Sequence, residues 1–166
     1  APTLNDWDRP QVVQIKGCES ISSPETAGKI PRIYREEKPL EVRWNEVWSI
    51  VDQETVERLL FHNRETAGQN RKLWEASGLK NSGQMYRALR KQNVSEQKPL
   101  IERARDLRVP VLFLVGLYDR NVGVDSVRDL SGVIPNSKLF IFQESAHFPD
   151  AEETVRYARL IREFTG

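Results

Sequence analysis

Cysteine, histidine, long apolar runs and an excess of charge of either sign are all scarce in this 166-residue sequence. One cysteine excludes an internal disulfide and a cysteine-based zinc site, and only two histidines disfavour any zinc site. With 25 basic and 24 acidic residues, the chain has no positive field that would attract a nucleic acid. We expect a cytoplasmic protein, because no apolar run approaches membrane-spanning length and the amino terminus does not resemble a signal peptide.

Glycine-rich phosphate-binding motifs are also absent. Neither Gly-x-Gly-x-x-Gly nor a Walker motif occurs, which argues against the use of a nucleotide. These absences therefore argue against a nucleic acid, a nucleotide or a membrane as the partner of this protein.

Two apolar runs in the last third of the chain each lead to a residue capable of acid–base chemistry. Val109–Gly116 leads to Asp119, and Lys138–Phe142 leads to His147. Each run has the length and composition of a strand that is buried on both faces. Residues 124–133 predict a short helix between them, so the unit is β-α-β. Because the carboxyl ends of parallel strands share one edge of the sheet, we expect the acid and the histidine to meet there.

A catalytic triad also requires a nucleophile that the histidine activates. The elbow Gly-x-Ser-x-Gly, which holds a serine between a strand and a helix, does not occur in this sequence. Cys18 follows a possible strand at residues 12–15 and is the alternative thiol nucleophile, although a lone cysteine is more often a small buried apolar residue. Asp125 and Asp150 are competing acids, but Asp119 lies closer to the end of its strand.

The chain divides into three predicted segments. Residues 1–44 are expected to be irregular or extended, with a loop over residues 20–31 and extended pieces at 32–35 and 40–44. Residues 45–97 are expected to form a helical cap, and 98–166 the carboxyl-terminal part of an α/β core. The predicted fold class is α/β: the last two parallel strands of a larger sheet, with helices, after a mainly helical cap.

Capping residues define the predicted helices. Asp52 is a plausible N-cap, Gly78 ends a helix, and Ser82 and Pro99 begin two more. A last helix starting near Asp150 is expected to bury five apolar residues, namely Val155, Ala158, Leu160, Ile161 and Phe164.

Two parallel strands are too few to form a sheet with both faces covered. We therefore expect this chain to be the carboxyl part of a larger catalytic unit. A second polypeptide, a processed partner or an amino-terminal segment would carry the nucleophile.

Three sequence motifs together resemble a known family. Val-Pro-Val-Leu-Phe-Leu-Val-Gly-x-Tyr-Asp-Arg, Ile-Pro-Asn-Ser-Lys-Leu and Glu-Ser-Ala-His-Phe-Pro are similar to the carboxyl end of an α/β-hydrolase, with the proline-iminopeptidase-like branch as the closest likeness. The likeness covers residues 98–164, and residues 45–97 resemble the helical cap of that branch more weakly. It implies that Asp119 is the triad acid and His147 the triad histidine. One departure is Asn121-Val122-Gly123, where a proline often follows the valine.

The resemblance also implies a substrate site in the cap, where carboxylates receive the free amino group of the substrate. Glu54, Glu57, Glu65 and Glu75 lie in the presumed cap. Of these, Glu75 is the preferred candidate, with Trp74 and Trp48 as apolar lining.

The resemblance implies a serine hydrolase of small amides, peptides or esters, similar to an aminopeptidase, that needs no cofactor. Three alternatives stay open. These are a non-catalytic binding subunit of α/β-hydrolase origin, an esterase, lactonase or epoxide hydrolase, and a complete enzyme that uses Cys18.

Overall fold

The computed structural model describes residues 8–79 and 100–166, together with residue 88. Five helices precede residue 80, and they are α1 (Asp8–Ile21), α2 (Pro24–Arg35), α3 (Leu40–Ile50), α4 (Gln53–Leu60) and α5 (Arg64–Ser77). The elements described after residue 99 are α6 (Leu100–Ala104), β1 (Val111–Gly116), α7 (Val124–Val133), β2 (Ser137–Phe142), α8 (Pro149–Glu152) and α9 (Thr154–Thr165).

The two strands pair in parallel, and α7 connects them. Val111 is opposite Ser137, and Gly116 is opposite Phe142, so both strands end at the same edge of the sheet. The predicted β-α-β unit is confirmed, as is the fold class of two parallel strands with helices after a mainly helical region.

Over residues 8–44 the prediction of irregular or extended structure is wrong, because α1, α2 and the start of α3 are helical, and residues 1–7 lie outside the described residues. The buried face of α1 carries Gln11 and Gln14 together with Ile15 and Cys18. These positions recur at helical spacing, but the two glutamines interrupt the apolar stripe that would have indicated a helix. The possible strand at residues 12–15 therefore lies inside α1.

The predicted loop over residues 20–31 is mostly helix α2. Ser23 is its N-cap and accepts a hydrogen bond from the Thr26 N–H at 3.4 Å, and Pro24 occupies the first turn. Serine and proline are as typical of a helix start as of a loop. Pro31 lies inside the helix, where a proline usually argues against helical structure. Residues 32–35 and 40–44, which were predicted to be extended, are helical and lie in α2 and α3. Each segment is too short for its sequence pattern to distinguish a strand from a helix.

The capping predictions for α4 and α5 are confirmed. The Asp52 carboxylate accepts a hydrogen bond from the Thr55 N–H at 2.7 Å. Gly78 ends α5 with a φ of 66°, a left-handed conformation that favours glycine. The helix starts predicted at Ser82 and Pro99 lie outside the described residues.

The main hydrophobic core lies among the first four helices. Its members are fully or almost fully buried, and they are Ile15, Cys18, Ile21, Ile30, Val47 and Leu59. Residues of α3, including Trp44 and Trp48, pack around this cluster.

The last helix is much more exposed than predicted. Val155 is 84% exposed, Ile161 is 39% exposed, and none of the five apolar residues expected to be buried in α9 is buried. The prediction was wrong because no element among the described residues covers that side of the helix. No helix in the described part of the chain has both the length and the apolarity to cross a lipid bilayer.

Candidate active site

The acid lies in a tight turn that follows β1. The Tyr118 N–H donates to the Ser145 carbonyl at 3.0 Å, which joins this turn to the loop after β2. At Gly116, a Cβ would lie 2.0 Å from the carbonyl oxygen of Ala146 and 2.3 Å from that of Ser145. Only glycine therefore allows the two loops to come this close.

Asp119 and His147 form a hydrogen-bonded pair. Asp119 Oδ2 lies 3.0 Å from His147 Nδ1, and the side chains are 5% and 27% exposed respectively. Asp119 Oδ1 accepts hydrogen bonds from the backbone N–H groups of Asn121 at 2.8 Å and Val122 at 2.9 Å. Burial acts to raise the pKa of Asp119, but the His147 contact and these backbone donors outweigh it, so the pKa lies below its ordinary value. The carboxylate is therefore ionised at neutral pH.

The ionised carboxylate determines which nitrogen of His147 carries the proton. A carboxylate can only accept hydrogen bonds, so Nδ1 of the neutral imidazole is protonated and Nε2 presents a lone pair. In a triad, an Nε2 lone pair takes the proton of the nucleophile. The pair thus has the tautomer that general-base catalysis requires.

Contacts with the helical region hold the histidine loop in place. The His147 N–H donates to the carbonyl of Leu60, at the end of α4, at 2.9 Å. The Glu152 carboxylate accepts from the Ala146 N–H at 2.7 Å, and also from the N–H groups of His62 and Asn63 at 2.7 Å and 2.6 Å. A single carboxylate therefore links the histidine loop to the connection between α4 and α5.

The Nε2 atom of His147 has a polar neighbour. Asn121 Nδ2 lies 3.0 Å from it, and Gln14 Nε2 donates to Asn121 Oδ1 at 2.6 Å. Gln14 in turn accepts from the indole N–H groups of Trp44 at 2.7 Å and Trp48 at 3.3 Å. These hydrogen bonds form a series in which every donor points in the same direction. The series starts at α3, passes through Gln14 of α1 and Asn121 to His147, and ends at the Asp119 carboxylate.

A consistent direction matters because hydrogen bonds in a chain polarise one another. The Asn121 amide fixes the orientation of the imidazole from one side while the carboxylate fixes it from the other. A hydroxyl that is to give its proton to Nε2 must replace the Asn121 donor.

A pocket of about 420 Å³ adjoins the histidine loop. Phe148, which follows His147, stacks on Phe61 with ring centroids 5.0 Å apart, and both rings line the pocket. Val56, Leu60 and Trp74 add apolar surface. The pocket therefore offers space for an apolar group, and Phe148, the residue after His147, is part of its lining.

The predicted substrate-binding residues lie in different places. Trp74, 49% exposed, lines this apolar pocket. Glu75 is exposed on α5 and is not among the residues that line the pocket. Trp48 packs on the helical core and contacts Gln14. The structure brings Asp119 and His147 together, and Trp74 lines the same pocket as Phe148, the residue after His147.

Cys18 is poorly suited to be a nucleophile. It lies inside α1 and is 1% exposed, and burial raises the pKa of its thiol to about 11. The thiolate is therefore scarce at neutral pH. Within residues 8–79 and 100–166, no cluster of histidine, cysteine and carboxylate side chains could hold a metal ion.

Sequence reasoning missed Gln14, Asn121 and Glu152. Gln14 and Asn121 are 107 positions apart, so no local pattern connects them. Asn121 was noted only for the departure from the family motif. Glu152 follows Pro149 at the start of a helix, where an acidic residue is common and does not by itself indicate a clamp.

Comparisons with known protein families and with curated proteins find no match. Solved structures are similar in fold. A meta-cleavage product hydrolase from Pseudomonas fluorescens IP01 shares 23% identity and a TM-score of 0.54, over 72% of this chain and 48% of that chain. An alpha/beta fold family hydrolase from Bacillus anthracis str. Sterne shares 19% identity and a TM-score of 0.50, over 84% and 48% respectively. VinJ shares 12% identity and a TM-score of 0.51, over 95% and 53%.

These similarities establish the fold. The chain has the architecture of the carboxyl-terminal part of an α/β-hydrolase, and it spans about half the length of the solved structures that it resembles.

Proposed function

We propose that this chain is part of a hydrolase of the α/β-hydrolase type and contributes the acid and the histidine of a catalytic triad. The observation that carries the proposal is the 3.0 Å contact between the buried Asp119 carboxylate and His147 Nδ1. The fold supports it, because the acid and the histidine follow neighbouring parallel strands at one edge of the sheet.

The proposed mechanism assigns each group one task. A serine from a partner chain or another segment attacks an acyl carbonyl, and His147 Nε2 accepts its proton. Asp119 holds the imidazole and stabilises its positive charge. When the tetrahedral intermediate collapses, His147 returns the proton to the leaving group. Before the first step, the serine hydroxyl replaces Asn121 Nδ2 beside Nε2.

The proposed substrate is a small amide, peptide or ester with an apolar group. The pocket beside Phe148 supports this class, and Trp74 is proposed to contact the apolar part. An aminopeptidase-like specificity, with Glu75 near the amino group and Trp48 as apolar lining, stays a prediction. The likeness in fold to a meta-cleavage product hydrolase leaves a substrate of that protein's class as an alternative proposal. An esterase, lactonase or epoxide hydrolase is the alternative within the same fold.

Substitutions of the pair test the proposal in the native, assembled protein. We expect His147→Ala to lower kcat by about 10⁶-fold and Asp119→Ala by about 10⁴-fold, as triad members do in serine hydrolases. Asp125→Ala is the matched control, because that carboxylate is 84% exposed and pairs only with Arg128 in the described part of the chain. Hydrolysis of aminoacyl anilides and short aromatic esters supplies the measurement.

Labelling locates the nucleophile. Native material is treated with a fluorophosphonate, and the intact masses of all polypeptides are measured. We expect the label on a serine outside the present sequence, and we expect His147→Ala to prevent labelling. Full activity in either the Asp119 or the His147 variant would contradict the proposed mechanism.

A non-catalytic binding subunit is the second candidate, and one contact favours it. Asn121 Nδ2 occupies the hydrogen-bonding position at His147 Nε2 that a catalytic hydroxyl needs. Asn121→Ala distinguishes the two functions. In a hydrolase this variant changes the measured rate, whereas a binding subunit hydrolyses nothing with or without the substitution.

A further inference from the structure

A second pocket, separate from the apolar one, lies on the other side of Phe61. Its volume is about 290 Å³, and its lining is unusually rich in cations. We call it the basic pocket, and its lining includes Ile21, Arg58, Phe61, His62, Tyr118 and Arg120.

Neither of the two central arginines forms an ion pair with a carboxylate among the described residues. Arg58 donates to the carbonyl of Ile21 at 2.6 Å, and Arg120 donates to the carbonyl of Tyr118 at 3.2 Å. A guanidinium group has five N–H donors, so most donors of both side chains are left for other partners.

Two neighbouring arginines, unlike Arg58 and Arg120, do form ion pairs with carboxylates. Arg64, which also lines the basic pocket, pairs with Glu54 at 3.0 Å. Arg71, about two helix turns further into α5, forms a two-point contact with Glu57. Acidic residues are thus available in this region, but none of those described forms an ion pair with Arg58 or Arg120, and Asp52 acts on Arg58 only through a weaker charge interaction.

The positive charges of Arg58 and Arg120 repel each other. Burial and the like charge of Arg58 lower the pKa of Arg120, while Tyr118 acts weakly in the opposite direction. An anion between the two guanidinium groups would remove this repulsion and supply acceptors for the unused donors.

Aromatic rings complete the basic pocket. The His62 ring stacks on the Tyr118 ring with centroids 3.9 Å apart and planes 6° from parallel. His62 Nε2 lies 3.7 Å from the Glu144 carboxylate. Phe61, which is 5% exposed, lines both this pocket and the apolar pocket. The lining therefore combines cationic donors with flat apolar surface.

We propose that the basic pocket binds an oxyanion, either a carboxylate or a phosphate group, between Arg58 and Arg120. The site does not depend on the hydrolase proposal, because its test measures binding and not turnover. It lies close to the acid–histidine pair in the chain, since Tyr118 and Arg120 flank Asp119.

Titration of the purified chain with inorganic phosphate, followed by NMR at constant ionic strength, tests the site. We expect saturable shifts in the His62 ring and in the Tyr118 resonances. Arg58→Gln and Arg120→Gln should each weaken binding by about tenfold, which is the usual effect of losing one charged hydrogen-bond donor. Arg128→Gln is the matched control, because this arginine is on α7, pairs with Asp125 and does not line the pocket.

A charge-conserving variant and titrations with two other anions separate anion binding from misfolding and identify the kind of anion. Arg120→Lys retains the charge and guards against a loss of binding caused by misfolding, since Arg120 packs close to Gly17 of α1. Benzoate and acetate, titrated in the same way, distinguish the sources. A site for an organic acid binds benzoate more tightly than acetate or phosphate, whereas a site for a phosphate group binds phosphate most tightly. The absence of saturable binding with all three anions, or an equal loss in Arg128→Gln, would overturn the proposal.

Discussion

The amino-terminal helices and the region around the sheet bury their apolar residues to different extents. Ile30 in α2 is completely buried, whereas Ile161 in α9 is 39% exposed. The first four helices enclose a core of their own. Among the described residues each of the two strands pairs with one neighbouring strand only, and most residues of β1 are half-buried.

The difference indicates where each region obtains its stability. The first four helices hold a buried apolar core within the described part of the chain, although Val42 in α3 is 40% exposed, and Leu73 and Trp74 in α5 are 70% and 49% exposed. The sheet region exposes apolar surface that a larger sheet and its helices would cover, and yet it carries the acid–histidine pair. Contacts from the helical region, such as the Leu60 carbonyl on the His147 N–H, compensate in part by holding the pair in place.

Matched isoleucine substitutions provide the largest expected effect on stability. Ile30→Ala should lower the free energy of unfolding by about 2–5 kcal/mol, because it leaves a cavity in a closed core. Ile161→Ala should change it by less than about 1 kcal/mol, since this side chain is partly solvated and alanine favours the helix. Urea denaturation of the purified chain measures both. An equally large loss in Ile161→Ala would show that α9 is covered in solution and that the two regions do not differ.

The same comparison explains which parts of the fold could be predicted from the sequence. The strands were predictable because Val111–Gly116 and Ser137–Phe142 are short apolar runs whose composition is decided locally. Helix α1 was missed because Gln14 is buried for a partner 107 residues away, and a buried polar residue conceals the apolar period.

The residues of the candidate site also divide into those that could be predicted from the sequence and those that could not. Asp119 and His147 were predictable because each follows a strand, and the topology of parallel strands brings such positions together. Gln14 and Asn121 were not, because their contact depends on how α1 packs against the loop after β1. Trp74 and Trp48 were both predicted as apolar lining, but only Trp74 lines the apolar pocket, because the position of each ring depends on how α5 and α3 pack.

A substitution at Gly116 tests how tightly the sheet region holds the site. Gly116→Ala should destabilise the chain by about 1–3 kcal/mol, because the new methyl group meets the backbone of the histidine loop and not a flexible side chain. Gly132→Ala is the control in α7, where a Cβ would meet nothing within 4 Å and alanine should be neutral or slightly stabilising. Thermal unfolding gives the stability, and the NMR shifts of His147 report whether the pair has separated. Equal stability of the two variants would mean that the loops do not approach as described.

The smallest expected effect concerns the pH dependence of stability, and it isolates the acid–histidine pair from the rest of the sheet region. The pKa of Asp119 is lowered in the folded chain, so the stability that it contributes is present above its ordinary pKa, about 3.9, and is lost as the pH falls through the lower folded value. Asp119→Asn should therefore make stability fall less steeply below about pH 4, by at most about 1.4 kcal/mol per pH unit for one carboxyl group.

His147→Gln should have a weaker effect of the same sign, because the backbone donors of Asn121 and Val122 still stabilise the ionised carboxylate. Denaturant titrations between about pH 2 and pH 6 cover this window. If both variants kept the full acid slope, the stability of the folded chain at low pH would be set by other carboxylates, and the Asp119–His147 contact would have to be weaker in solution than its geometry implies.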